Sequence, residues 1–185
     1  SEVEEAIKTL KKLLDDNKRH TEEVIRRIEE LLKRNEEHSR KVIEDLERLL
    51  RKLEKMVRDR GNDERLKKLV RDVLERVKEL LKRNEEHSRR SSKRVEEILR
   101  ENEEHSRRSS RTVKEILKDV RRKGLPEEVV RRMEEAVRRA EETNKDLVRR
   151  SREVVRRANE TNKKLLEDSK RVVERVEKRL EELLR

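Results

Sequence analysis

The stretch Val42-Ile43-Glu44-Asp45-Leu46-Glu47-Arg48-Leu49-Leu50-Arg51-Lys52-Leu53-Glu54-Lys55-Met56-Val57 decides the fold. Its apolar residues recur every three or four positions, and everything between them is Glu, Asp, Lys or Arg. On a helix of about 3.6 residues per turn, that spacing places one apolar stripe on an otherwise charged cylinder, about three positions in seven wide. Toward the N-terminus the stripe continues through Leu32, Leu31, Ile28, Ile25, Val24, Leu14, Leu13, Leu10, Ile7, Ala6 and Val3. Beyond it the same pattern runs from Leu66 to Val120 and again from Val129 to Leu184. High charge with low hydrophobicity is also the signature of disorder, but a disordered chain has no reason to keep a stripe in phase for so long.

Composition narrows the class further. Of 185 residues, 55% are charged and 29% hydrophobic, with two Gly, one Pro and no Cys, Phe, Trp or Tyr. Sandwiches, barrels and α/β enzymes need a turn roughly every dozen residues, built largely from Gly, Pro, Asn and Asp. Two glycines and one proline cannot supply those turns. Without cysteine there is no disulfide framework, Cys-ligated zinc, iron–sulfur cluster or thiol chemistry. No apolar run approaches the ~20 residues of a membrane span, and no signal-peptide pattern opens the sequence.

Only two places break the stripe. At Gly61-Asn62-Asp63, Gly61 suits the left-handed position after a helix and Asn62 or Asp63 can cap the next one. At Gly124-Leu125-Pro126, Gly124 is placed to end a helix in a Schellman motif, with Leu125 touching Val120 and Pro126 early in the following helix. Ser1 and Glu4 have the spacing of a capping box. The expected fold is all-α: a single straight, antiparallel up-down-up three-helix bundle over 1–185, with helices near 2–60, 63–123 and 126–185. Each helix would be about 90 Å long.

A second repeat overlies the first. Asn17, His20 and Thr21 recur 18 residues later as Asn35, His38 and Ser39. In the second helix Asn84, His87, Ser88 and Ser91 recur as Asn102, His105, Ser106 and Ser109. In the third, Thr143, Asn144 and Ser151 recur as Thr161, Asn162 and Ser169. Eighteen residues make about five full turns, which keeps a stripe on one face of a straight helix. Folding the first hairpin at Gly61-Asn62 sets Asn35 opposite Ser88, Ser39 opposite Asn84, Asn17 opposite Ser106 and Thr21 opposite Asn102. Folding the second near Gly124 brings Asn162 beside Ser88 and Asn144 beside Ser106. All four histidines then fall in two polar layers about 27 Å apart.

Buried Asn, His, Ser and Thr are costly unless hydrogen-bonded, so each layer is expected to form a connected network that fixes register, since a slip would set Asn or His against Leu. Replacing Asn84 or Asn102 by Leu is then expected to strand partners at a cost of roughly 1–3 kcal/mol. Burial of the four histidines is expected to depress their pKa values and weaken the fold at acid pH. The layer repeat, the single-Gly loops, the economy of residue types and the Ser1 cap together resemble the family of de novo designed helical bundles with engineered buried hydrogen-bond networks, along the whole chain. That resemblance implies a structural scaffold or assembly module, in some members made pH-sensitive by network histidines. The lack of Tyr or Trp departs from the family's habit.

Other chemistries fit less well. His38 near Ser39 and Ser88 has the residue types of a nucleophile and base, but no carboxylate or oxyanion hole accompanies them. Two histidines per layer fall short of the three or four ligands of a stable zinc site, so no metal, cofactor or catalytic residue is expected. Glu36-Glu37 and Glu103-Glu104 read as solvated surface. Arg89-Arg90-Ser91-Ser92 and Arg107-Arg108-Ser109-Ser110 resemble kinase sites, but their serines lie on the stripe, and Asn159-Glu160-Thr161 matches a glycosylation pattern by accident. Net charge is +11, divided as +1 over 1–60, +7 over 61–124 and +3 over 125–185. A basic helical nucleic-acid-binding protein is therefore one alternative. Interleaved acids and the absence of aromatics speak against specific binding. A natural spectrin-like three-helix protein is another, although such repeats normally carry core aromatics. The residues favour a monomer that needs no partner and leave open a homo-oligomer or designed hetero-oligomer with the polar layers between chains.

Overall fold

The computed structural model describes residues 2–60 and 63–185, apart from the side chains of Glu2, Val3 and Leu183. Three α-helices, α1 (Glu2–Arg60), α2 (Glu64–Arg122) and α3 (Glu127–Leu183), make up nearly all of it. Among the described residues there is no strand. The helix ends follow local chemistry. Asp63 caps α2: its carboxylate accepts the Arg65 N–H at 3.2 Å, and its carbonyl accepts the Lys67 N–H at 3.0 Å. Gly124 has φ +72° and donates its N–H to the Arg121 carbonyl at 3.2 Å, the inner bond of a Schellman turn. Leu125 and Val120 join the same apolar cluster, as that turn requires. Pro126 serves as the cap of α3, its carbonyl accepting from Val129 and Val130. The suggested roles of Ser1, Gly61 and Asn62 lie outside the described residues.

By their contacts the helices divide into two compact units. The first comprises Ser1–Glu30 and Arg94–Val155. Its core gathers Leu10 from α1, Val113 and Val120 from α2, and Met133 and Val137 from α3. Ser106 bonds Asn144 and Ser110 bonds Glu141, so numbers rise along α2 as they fall along α3, and these helices are antiparallel.

The second unit comprises Leu31–Lys93 and Arg156–Arg185. Leu46, Leu50, Leu53 and Val57 of α1 pack there with Leu66, Val70, Leu74, Val77 and Leu81 of α2 and Val173 and Leu180 of α3. The pairs Ser88–Asn162 and Ser92–Asn159 again set α2 against α3. Each fully buried Leu or Val contributes about 1.5–3 kcal/mol, so these apolar residues supply most of the stabilisation. Interhelical ion pairs such as Lys78–Glu177 at 2.9 Å and Lys170–Glu85 at 3.3 Å sit on the surface, where such pairs add ~0–1 kcal/mol each.

Candidate functional site

The polar residues of the apolar stripe are the chemically distinctive positions of this chain. In the first unit Thr21 is fully buried, and its hydroxyl donates to Asn144 Oδ1 at 2.8 Å. Asn144 in turn donates through Nδ2 to Ser106 Oγ at 3.2 Å. One carboxamide of α3 thus ties α1 to α2. In the second unit Ser39 and Ser88 are buried, and both donate to Asn162 Oδ1, at 3.2 and 3.5 Å. Thr21–Asn144 and Ser39–Asn162 are each 123 residues apart, so the 18-residue repeat is carried into tertiary contacts.

The direct α1–α2 pairing expected from the sequence is replaced by bonding through α3. Asn35, Asn84 and Asn102 are buried and Asn17 is half-buried. Within the protein, the Oδ1 atoms of Asn17, Asn35 and Asn102 and both amide atoms of Asn84 are buried without a hydrogen-bond partner. For the carbonyl oxygens, one reason is where the hydroxyl protons go. A hydroxyl has one proton to give, and Thr21, Ser39 and Ser88 direct theirs to α3, away from the α1 and α2 carboxamides. Ser151 and Ser169 are also buried, but their hydroxyls turn back to the Val148 and Leu166 carbonyls of their own helix. Thr143 is exposed and bonds the Arg139 carbonyl. Ser91, Ser106, Ser109 and Thr161 are half-buried, short of the full burial expected for the stripe.

The histidines require the largest correction. His20, His38, His87 and His105 are all exposed. Each directly precedes a layer hydroxyl, at Thr21, Ser39, Ser88 and Ser106. One step along an α-helix is a turn of about 100°, which carries the ring from the stripe to its flank. The flanks of α1 and α2 face each other, so the rings meet in pairs at the surface: His20 with His105 at 4.1 Å between ring centres, and His38 with His87 at 4.9 Å. Among the described residues no hydrogen bond joins an imidazole to the polar layer. The His105 pKa is lowered from its ordinary value of 6.5, first by desolvation where the ring lies against its neighbours, then by the charges of His20 and Arg108.

Two contacts escaped the sequence reading. Ser92 donates to Asn159 at 3.1 Å, and Ser110 donates to Glu141 at 2.9 Å. Their numbers add to 251, nearly the same register as Ser88 with Asn162 and Ser106 with Asn144, so the hairpin geometry contained the signal. Asn159 stands out in the sequence only through its fortuitous glycosylation pattern, and nothing there sets Glu141 apart from the other acids. An open groove of about 850 Å³ lies beside Ser110 and Glu141 in the first unit, lined also by Asn17, Ser106, Ser109, Ala140 and Asn144 among others. Small side chains on α2 and α3 leave that space.

Chemically, the Ser39 and Ser88 hydroxyls are engaged in bonds between helices. The protons of Ser39 and Ser88 go to Asn162, while the His38 ring lies outside on the surface. Among the described residues no group of three or more His, Cys, Asp or Glu converges on one point, and no helix is long and apolar enough to cross a membrane. No family model and no curated protein sequence matches the chain. Among solved structures it is similar to one described as a computationally designed three helix bundle. The TM-score is 0.52 at 19% identity, over 99% of this chain and 89% of that one. That likeness defines the class by fold: the chain is a three-helix bundle.

Proposed function

We propose that the chain is a designed structural scaffold with no catalytic chemistry of its own, in which hydroxyls and carboxamides placed in the apolar stripe specify how the helices face one another. The carrying observation is Asn162, whose single carbonyl accepts from Ser39 of α1 and Ser88 of α2, matched by Asn144 between Thr21 and Ser106. A slip of α3 along its neighbours would leave those buried groups facing Leu or Val, at about 1–3 kcal/mol per orphaned group. Description of the similar solved structure as computationally designed supports the same origin for this chain. Burial of Thr21, Asn35, Ser39, Asn84, Ser88, Asn102 and Asn162 within one chain supports a monomer over an assembly with these layers between subunits.

Denaturant unfolding of two variants tests this reading. Asn162→Leu orphans two buried hydroxyls and is expected to lose about 1–3 kcal/mol. Asn84→Leu removes a carboxamide with no partner at either atom, so its stability should hold or rise, against the loss expected from the sequence alone. The opposite order would show that Asn162 does not join the helices.

A further inference from the structure

Two pairs of imidazoles stand on neighbouring helices, and the residues that share their helical faces differ in charge. An ion held by two imidazoles at right angles, with metal–nitrogen bonds of about 2.0 Å and about 1.2 Å from nitrogen to ring centre, sets the ring centres about 4.5 Å apart; at the tetrahedral angle they lie about 5.2 Å apart. The His38–His87 rings, 4.9 Å apart, stand within that range, and the His20–His105 rings, 4.1 Å apart, must part slightly to reach it, which their exposure allows. Both pairs are exposed, so an ion can enter without unpacking the core, and helices already packed together hold the rings close before it arrives.

Charge separates the two. Residues three and four positions away share a helical face. Around His20 and His105 these are Asp16, Glu23, Glu101 and Arg108, three acids against one base. Around His38 and His87 they are Arg34, Lys41, Arg83 and Arg90, four bases and no acid. We propose that His20 and His105 form a two-imidazole binding site for one divalent transition-metal ion of borderline softness, Cu²⁺ above Ni²⁺ and Zn²⁺. His38 and His87, with the same ligand types, are held weak by the bases around them. The order of metals follows the general preference of imidazole nitrogen for late divalent ions. Solvent completes the coordination sphere, since among the described residues no third protein ligand converges there. Bound metal would link α1 to α2 without touching the buried layers.

Copper(II) chloride titrated into the full chain in a non-coordinating buffer tests the assignment, read by calorimetry and electron paramagnetic resonance. The first equivalent should show two nitrogen ligands on the copper. Affinity for it should fall at least tenfold in His20→Gln and equally in His105→Gln, each checked by circular dichroism to be helical. It should stay within twofold in the double variant His38→Gln, His87→Gln. The gap between the two pairs should narrow as salt rises, because screening removes the charge contrast. Either single variant retaining the parent affinity, a one-nitrogen spectrum for the first equivalent, or tighter binding by His38–His87 would overturn the proposal. So would a metal-dependent doubling of mass in light scattering, which would place the ligands on two chains.

Discussion

His105 lies against His20, and its folded pKa is lowered by desolvation, by His20 and by Arg108. In the unfolded chain an imidazole titrates near ~6.5. With the folded value below the unfolded one, the unfolded state binds more protons as pH falls, so the contribution is complete above ~6.5 and is lost on acidification through the folded pKa. The denaturation midpoint should therefore fall between pH 7 and pH 5, and fall less in His105→Asn. Equal falls in the two proteins would remove His105 from any pH response. This is narrower than the sequence suggests. Counting three and four along the stripe groups His20 with Asn17 and Thr21, yet the 100° step sets its ring on the flank and makes it a surface group. The pattern shows which residues lie near the stripe; it does not separate its centre from its edge when both are polar.

Helices were the most legible level. An unbroken three-four spacing, only two glycines and one proline locate α1, α2 and α3 to within one or two residues of Glu2–Arg60, Glu64–Arg122 and Glu127–Leu183. The termini depend on single residues whose loss should be measurable. Asp63→Ala removes the acceptor for the Arg65 N–H and should cost about 0.5–2 kcal/mol in denaturant unfolding. At Gly124 a Cβ would meet nothing within 4 Å, so the cost of Gly124→Ala comes from the left-handed backbone alone, about 1–2 kcal/mol. Gly124→Asn should cost less, because asparagine tolerates that conformation better than alanine. Equal stability of the alanine and asparagine variants would mean that the turn relaxes out of the left-handed region. Hydrogen-bond partners between helices were less legible. Periodicity brings Ser39 near both Asn84 and Asn162; only the packed side chains determine which carbonyl receives its one proton, and it is Asn162.

For the whole molecule, the function proposed above assigns stability to the apolar stripe and selectivity to the polar insertions. The apolar clusters contain many Leu and Val whose burial needs no particular partner, and such a core tolerates several registers at similar free energy. The bonds among Thr21, Ser39, Ser88, Ser106, Asn144 and Asn162 are directional, and on that proposal they select one register. Buried polar groups of this kind are often exchanged for apolar ones at no loss of stability, so stability alone understates their role. The decisive measurement is the two-dimensional amide correlation spectrum of a variant with those six residues replaced together by Val and Leu. More than one set of resonances, or general broadening, at undiminished denaturation midpoint is the expected result. A single set as sharp as that of the parent chain would contradict a specifying role for the polar layers.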